Sequence, residues 1–438
     1  MRLDWDSPVT NNLLSGGADE FNSVMAARII LLDQIASESL GDEGASCVSP
    51  YRGVIDAIRE LQIDQIGAMA SPFLMMNTNR CLEAIADRNL DLFKRVMRYV
   101  TVLAFDSFLE HIPIGMEVYV SNWEDGLIIL PNQSISIEVD APEFWLVRSS
   151  RSEIECRTSL ASKVTKLLAP PRAIPSLSVA GGGIFLQAAS PLLFEPEYID
   201  KVAPHLSTAS ELAALIGDSL DLIGTVWPGL GRRIRRFIKY YVPIHRNDSR
   251  IHNSFSAQNL VGAIFVSESY ADLKLAEALV HEFHHNELYI RMTVANFFNE
   301  SGQDKLYYSP WRADARPLFG LLHALYVFTG VAQFYGMLER QSSDQSLATH
   351  CRTYQREVCE KLAWGCAQVD WSALSAEGKE LLRWIDAQLD ARSSECGYSC
   401  AVVSKEMRAS IDLWRDRYPS LELRQVRGPA LMTSNVAS

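Results

Sequence analysis

The stretch Pro317–Leu338 contains no Asp, Glu, Lys or Arg. A run of that length without charge must lie in an apolar environment, either a bilayer or a protein core. His323, Thr329 and Gln333 interrupt it, and polar side chains facing lipid are costly. The spacing therefore predicts a helix buried in a core. A second uncharged stretch, Ala173 to Phe194, holds two prolines and Gly181-Gly182-Gly183. It reads as turns and short strands.

Composition narrows the class. Of 438 residues, 21% are charged and 48% hydrophobic, an ordinary globular balance. Asp and Glu outnumber Lys and Arg by 53 to 41, a net charge of −12. This argues against nucleic acid as a partner, because such binders carry a basic surface. Met1-Arg2-Leu3-Asp4-Trp5-Asp6 lacks the apolar segment of a secretory signal. The expectation is a cytoplasmic chain, not bound to membrane, whose eight cysteines are reduced. Cys396 and Cys400 form a C-x-x-x-C pair, but no second pair completes a zinc site.

Taken in order, residues 1–110 read as a helical region, with helices around 51–62 and 81–105. Residues 111–200 read as strand-rich. Short β-branched runs at 116–120, 126–130 and 134–139, with extended segments at 144–148 and 183–188, predict a small antiparallel sheet. Residues 201–424 read as helical again, starting at a capping sequence near Ser207 and breaking at Trp227-Pro228-Gly229. Arg232, Arg233, Arg235, Arg236 and Lys239 surround an apolar face made by Ile234, Phe237, Ile238 and Tyr241, and read as a solvated basic face. After a loop with His245 and His252, residues 262–267 read as a strand. Its place ahead of the next helix suits it to hold an extended peptide by edge pairing. Residues 425–438 read as a flexible tail.

The helix expected from about Tyr270 to Asn299 contains His281, Glu282 and His285, an H-E-x-x-H sequence. Positions i and i+4 lie on one helix face, so two imidazoles point toward one place where a divalent metal can sit. Ala278, His281, His285, Leu288 and Met292 share a stripe, which turns the histidines toward the core. Buried imidazoles need partners, and a metal satisfies both. His284 points elsewhere and reads as supporting structure. His323, on the uncharged helix, is the best third ligand, with Gly320 one turn earlier allowing a close helix approach. Glu282 and Glu287 are alternative ligands, and Glu300 a weaker one.

Two chemistries compete. In a zinc peptidase, Glu282 would be the general base for a metal-bound water. No downstream acid ligand in a recognisable pattern follows. The alternative H-x-x-G-x-x-H continuation also fails, because Leu288 and Arg291 occupy the Gly and His positions. In an oxygenase, three protein ligands hold Fe(II) and leave positions for a keto-acid and O2. The distal carboxylate of 2-oxoglutarate then needs a cation. Arg316, seven residues or about 10 Å of helix before His323, fits that reach, and Arg312 is the second candidate. Arg316 could instead be spent on a surface pair with Asp314.

Leu279–His285, Tyr308–Leu318 and Leu322–Phe328 together resemble the H-E-x-x-H family of peptide-modification proteins, associated with ribosomally made, post-translationally modified peptides. The resemblance is firmest over about 205–340; the first 200 residues match only in their general run of elements. It implies a 2-oxoglutarate-dependent iron peptide β-hydroxylase with a fold that is not a jelly roll. His281 and His285 would be iron ligands, His323 the third, and Arg316 or Arg312 the co-substrate anchor. Glu282 would have no hydrolytic task. The expected fold is α+β, mainly helical, with a small antiparallel sheet and a helical metal-binding core. The expected partner is a precursor peptide. The alternatives are the zinc metallopeptidase and a non-catalytic peptide-binding maturation partner.

Overall fold

In a computed structural model, the described residues are 8–121, 127–132, 135–139, 142–151, 154–160, 164–167, 172–173, 176–178, 184–186, 209–244, 254–267, 272–299, 305–399, 403–424 and 426. His245, His252, the triple glycine, the start near Ser207, Glu300, Cys400 and residues 427–438 lie outside them. The protein is α+β and mainly helical. The chain divides into two compact units. One comprises Gly17–Gly217 and Arg235–Tyr270. The other comprises Met1–Gly16, Asp218–Ile234 and Ala271–Ser438.

The first unit opens on helices α1 (Pro8–Ala57), α2 (Ile63–Met69), α3 (Pro72–Ala86) and α4 (Leu90–Ser107). Gly41 breaks α1, with φ 64° and ψ −147°, in the left-handed region that glycine enters without steric cost. A β-carbon on Gly67 would lie 2.0 Å from the carbonyl oxygen of Asn22, so α2 meets α1 backbone to backbone. The single helix expected over 81–105 is two. Arg88 takes φ 54° and the side chain of Asn89 accepts a hydrogen bond from Leu92 N–H, ending one helix and capping the next. Helical spacing persists through this break, which is why periodicity alone does not reveal it.

The strand expectations at 116–120, 126–130, 134–139, 144–148 and 183–188 correspond to β1 (Glu117–Val120), β2 (Leu127–Leu130), β3 (Ile135–Glu138), β4 (Phe144–Arg148) and β9 (Ile184–Leu186). β5 (Ile154–Leu160) and β6 (Val164–Leu167) complete an antiparallel sheet of order β1-β4-β5-β6. β7 (Arg172–Ala173) joins β2 and β3. Buried Arg148, on β4, donates to the carbonyls of Glu110, Ile112, Ser150 and Arg151, tying the sheet to the turn after α4.

The sheet that holds β9 is mixed. Its order is β11-β12-β10-β9-β8, with β8 at Ser176–Ser178, β10 at Tyr240–Ile244, β11 at Ser254–Phe255 and β12 at Ala263–Ser267. β10 runs parallel to both β9 and β12. Both β10 and β12 are buried along their whole length, as uniformly apolar parallel strands are. β12 is hydrogen-bonded on both sides, to β10 and β11. β11 pairs it at Phe265 and Val266, so β12 is not the edge strand that the peptide-pairing expectation for residues 262–267 needs.

α5 (Ala209–Val226) leads through Trp227 into α6 (Pro228–Phe237), and Asp218–Ile234 of this stretch belong to the second unit. Proline occupies the first helical position of α6, where its missing N–H costs nothing. A β-carbon on Gly231 would meet Gly224 Cα at 2.6 Å, so this corner needs both glycines. Then follow α7 (Asp272–Val294), the two-residue strands β13 (Leu306–Tyr307) and β14 (Arg316–Pro317), and α8 (Leu318–Gln341). The last helices are α9 (Gln345–Gln368), α10 (Ala376–Cys396) and α11 (Lys405–Arg417). α8 is the centre of this unit, packed against α7, α9 and α10. It is long and apolar enough to cross a membrane, yet 78% of its most apolar window is buried inside the protein, as in a core helix. The side chains of Asp344, Ser375 and Ser404 cap α9, α10 and α11.

The basic cluster of 232–239 is not uniformly solvated. Arg232 and Arg236 are exposed. Arg233 reaches Glu287 at 3.4 Å, within its own unit. Lys239 donates to the carbonyls of Ala68 at 2.7 Å and Ala70 at 3.3 Å, at the end of α2. Burial pulls the Lys239 ammonium down to about 8.

One acid in the helical unit has a legible effect on stability. Asp386, on α10, has its Oδ1 buried without a hydrogen-bond partner. Burial pushes its carboxyl from 3.8 up to about 6. The folded protein then binds a proton that the unfolded chain has already released. Its stabilising contribution is complete below 3.8 and is lost as pH rises through about 6. Urea unfolding followed from about pH 4 to pH 7 should show a loss of about 2 kcal/mol from this group. Asp386→Asn should flatten that slope; an unchanged slope refutes the assignment.

Candidate metal centre

Helix α7 carries the H-E-x-x-H sequence. His281 and His285 stand one turn apart, with ring centroids 4.9 Å apart and planes at 71°. Both are partly accessible, whereas Glu282, His284, Asn286 and Glu287 around them are buried. α8 brings His323 against the same face. Its Nδ1 lies 3.0 Å from Nδ1 of His285, and the two rings stack at 26°. The structure thus joins all three sequence-selected histidines in one chain of contacts, with His285 in the middle.

Burial is the largest influence on each ring. It lowers His281 to about 4 and His323 to about 3, and drives His285 well below the ordinary histidine value. The charge of Glu277, one turn before His281, opposes the shift there. All three rings are neutral at pH 7, so each keeps a lone pair, the form in which imidazole binds metal. Two nitrogens held at right angles by bonds of about 2.1 Å would stand about 3 Å apart, which the His285–His323 contact already satisfies. Nε2 of His323 is buried without a hydrogen-bond partner. Metal-bound histidines ordinarily anchor that second nitrogen. Among the described residues, no group of three or more His, Cys, Asp or Glu side chains is placed to hold a metal ion, so the metal-binding core expected from the sequence is not shown.

His284, adjacent in sequence, does something else. Its Nδ1 donates to Val280 O at 2.7 Å, and its ring lies against Trp227 and Tyr326. Glu287, an alternative ligand by sequence, belongs to this same side. It lies 3.4 Å from Arg233, 3.7 Å from Nε2 of His284 and 3.3 Å from the hydroxyl of Tyr326. Glu282 is 2% exposed, and its charge contributes to raising the Tyr289 phenol.

Gly320 is not the crossing point expected before His323. A β-carbon there would touch only the side chain of Arg316, at 3.9–4.0 Å. The close approach on α8 is at Gly330, where a β-carbon would fall 2.4 Å from the His284 ring. Both glycines lie in the same apolar run, and composition does not say which one faces another helix.

Arg312 and Arg316 lie on the segment running from β13 into β14. Both pair with Asp314, Arg312 at 3.3 Å and Arg316 at 3.4 Å. Their side chains are 56% and 35% exposed. Exposed pairs of this kind contribute at most about 1 kcal/mol. Either guanidinium can therefore exchange Asp314 for another carboxylate at little cost.

Sequence reasoning missed the aromatic side chains around the histidines. Tyr289, one turn after His285, packs on His323 at 4.6 Å and on His285 at 6.1 Å. Phe319 covers His323 at 4.4 Å. Phe328 sets its edge on His281 at 5.0 Å and stacks on Trp311 at 4.6 Å. Tyr289 was detectable as the i+4 neighbour of His285; the Trp311–Phe328 stack is a long-range contact with no signature in spacing. Glu277, also missed, lies on the His281 stripe and accepts from Lys274, Tyr335 and Tyr354 at 2.7, 2.7 and 2.6 Å.

Comparison with models of known protein families and with curated proteins finds no match to the chain.

Proposed function

We propose that the chain is an Fe(II)- and 2-oxoglutarate-dependent oxygenase that hydroxylates a side-chain β-carbon of a ribosomally synthesised precursor peptide. The observation that carries this reading is the 3.0 Å nitrogen–nitrogen contact between His285 and His323, with His281 beside it on the same helix face. His281, His285 and His323 would hold the metal as neutral imidazoles. When bound, iron with 2-oxoglutarate and O2 supplies the oxidation: one oxygen atom enters the peptide C–H bond and the other enters succinate as CO2 leaves. Arg316, or failing it Arg312, would release Asp314 and take the distal carboxylate of the co-substrate in a two-point grip. Tyr289, Phe319 and Phe328 would restrict water around the histidines and offer apolar contact to the presented side chain. Glu282 would not act as a base in this reaction.

The decisive measurement is anaerobic titration with Fe(II), then 2-oxoglutarate. Formation of a visible charge-transfer band, followed by succinate on admitting O2, is the expected result. Arg316→Ala should weaken 2-oxoglutarate binding without removing Fe(II). Tight zinc binding with peptide-bond cleavage that depends on Glu282 would replace the proposal with a metallopeptidase. Absence of any metal binding would leave the non-catalytic peptide-binding partner.

A further inference from the structure

Residues 305–317 carry both candidate anchor arginines, yet neither guanidinium is fixed from outside that segment. Among the described residues, Asp314 is the ionic partner of Arg312 and of Arg316, and it belongs to the same segment. Where the two cations stand is therefore set by what holds the backbone. At one end the segment runs directly into α8. At the other, Arg316 is the ladder partner of Tyr307, so whatever fixes the neighbourhood of Tyr307 fixes the backbone of Arg316. Side-chain ties to other elements run through Lys305, which meets Asp370 at 3.1 Å, and through Tyr308 and Trp311.

Tyr308 is 1% exposed and is gripped by α11. Its ring meets Trp414 at 5.5 Å, and its hydroxyl lies 2.9 Å from Oγ of Ser410 and 3.5 Å from Sδ of Met407. Met407, Ser410, Ile411 and Trp414 recur at helical spacing, so one face of α11 is given to this seat. Trp364 of α9 closes the same cluster, and a β-carbon on Gly365 would lie 3.3 Å from the Trp311 ring. The segment thus passes between α9 and α11. α11 is in turn clipped to α9 before its start and after its end. Ser404 N–H donates to Glu360 at 2.7 Å. Gln368, the last residue of α9, accepts from Arg424 N–H at 2.9 Å and donates to Arg424 O at 2.7 Å, the exchange that two paired strand residues make. Arg424 Nη1 donates to Val369 O at 3.0 Å. Tyr418, Leu421 and Leu423, between α11 and this clip, pack on the Tyr308 cluster.

We propose that α11 and residues 418–424 are a clamp that positions the co-substrate arginine, with Tyr308 and Gln368 as its positioning residues. The assignment of a co-substrate to Arg316 rests on the proposed function; the clamp on the segment does not. Closed, the clamp holds β13 against β14 and presents Arg316 at a set place ahead of α8. Released, β13 departs, Arg316 loses its ladder partner, and the anchor moves while the histidines on α7 and α8 stay where they are. Anchor and metal ligands are thus held by different parts of the chain.

The test compares full-length parent and Gln368→Ala, first metal-free by hydrogen–deuterium exchange and mass spectrometry, then by anaerobic titration with Fe(II) and 2-oxoglutarate. Amides of 305–316 should exchange at least about ten-fold faster in Gln368→Ala, together with those of 418–424, while those of α7 keep the parent rate. The Kd for 2-oxoglutarate on the Fe(II)-loaded protein should rise at least about ten-fold. The Kd for Fe(II) should stay within about two-fold. A residue that merely stabilised the fold would weaken both together. Gln368→Glu keeps the acceptor for Arg424 N–H and loses the donor, so it should fall between parent and Gln368→Ala. Tyr308→Phe keeps the ring and loses the Ser410 contact, and should speed exchange at 305–316 while 418–424 stays protected. These two milder variants carry the comparison where Gln368→Ala folds poorly. Exchange at 305–316 that stays at the parent rate overturns the clamp, as does an equal fall in the two affinities. A parent protein that binds Fe(II) but no 2-oxoglutarate overturns the proposed function instead, and exchange alone then decides the clamp.

Discussion

Gly330→Ala should be among the most damaging single-methyl changes in this protein, with a loss of about 3 kcal/mol or more. The new β-carbon would stand 2.4, 2.5 and 2.7 Å from Cε1, Nε2 and Nδ1 of His284. The ring has no easy retreat. Its Nδ1 is bonded to Val280 O, and Trp227 and Tyr326 lie against it. Relief would require α7 and α8 to separate, which would also part His285 from His323. A loss of that size in a domain stable by about 5–15 kcal/mol is visible in any thermal melt. His284→Ala removes the obstacle and leaves a void that the alanine methyl partly fills. The double variant His284→Ala/Gly330→Ala should therefore melt above Gly330→Ala alone, a coupling that independent sites do not show. Equal melting of Gly330→Ala and the parent, within about a degree, would show that α7 and α8 do not meet this closely.

His323→Ala should reduce Fe(II) affinity at least about 100-fold while leaving the fold intact. Under the proposed function it removes one of three protein ligands. Its effect on the metal-free protein should be small, because two terms oppose. Deleting the ring leaves a cavity beside Tyr289 and Phe319, which costs stability. It also removes a buried Nε2 that has no hydrogen-bond partner, which restores about 1–3 kcal/mol. His284→Ala gives the contrasting result. It should lower stability and keep Fe(II) binding, because that ring faces Val280, Trp227 and Gly330. Anaerobic Fe(II) titration and thermal melting on the two variants separate these outcomes. Normal Fe(II) affinity in His323→Ala would remove that residue from the ligand set.

Much of the helical half was legible because its signals are local. Helical stripes, the Trp227-Pro228 break and the uncharged 317–338 run all correspond to elements α5 to α8. The face of α7 that carries His281 and His285 follows from helical geometry alone. Pairing between distant segments was not legible in this way. β10 reads as apolar whether its neighbours are parallel or antiparallel, and only the structure places β12 between β10 and β11. The division at 87–89 depends on Arg88 adopting a positive φ, which few non-glycine residues do and no spacing rule signals.

At the candidate centre, the same boundary holds. The i, i+4 spacing alone places two imidazoles on one face of α7, because a helix repeats every 3.6 residues. The lack of charge in 317–338 alone requires α8 to be buried. What needed the folded chain was the choice among partners. Packing α8 on α7 sets His323 rather than Glu287 beside His285, turns Glu287 toward Arg233, and makes Gly330 rather than Gly320 the point of closest approach. A residue's face is a property of its own helix; its partner is decided by which helix packs against that face, and at what depth.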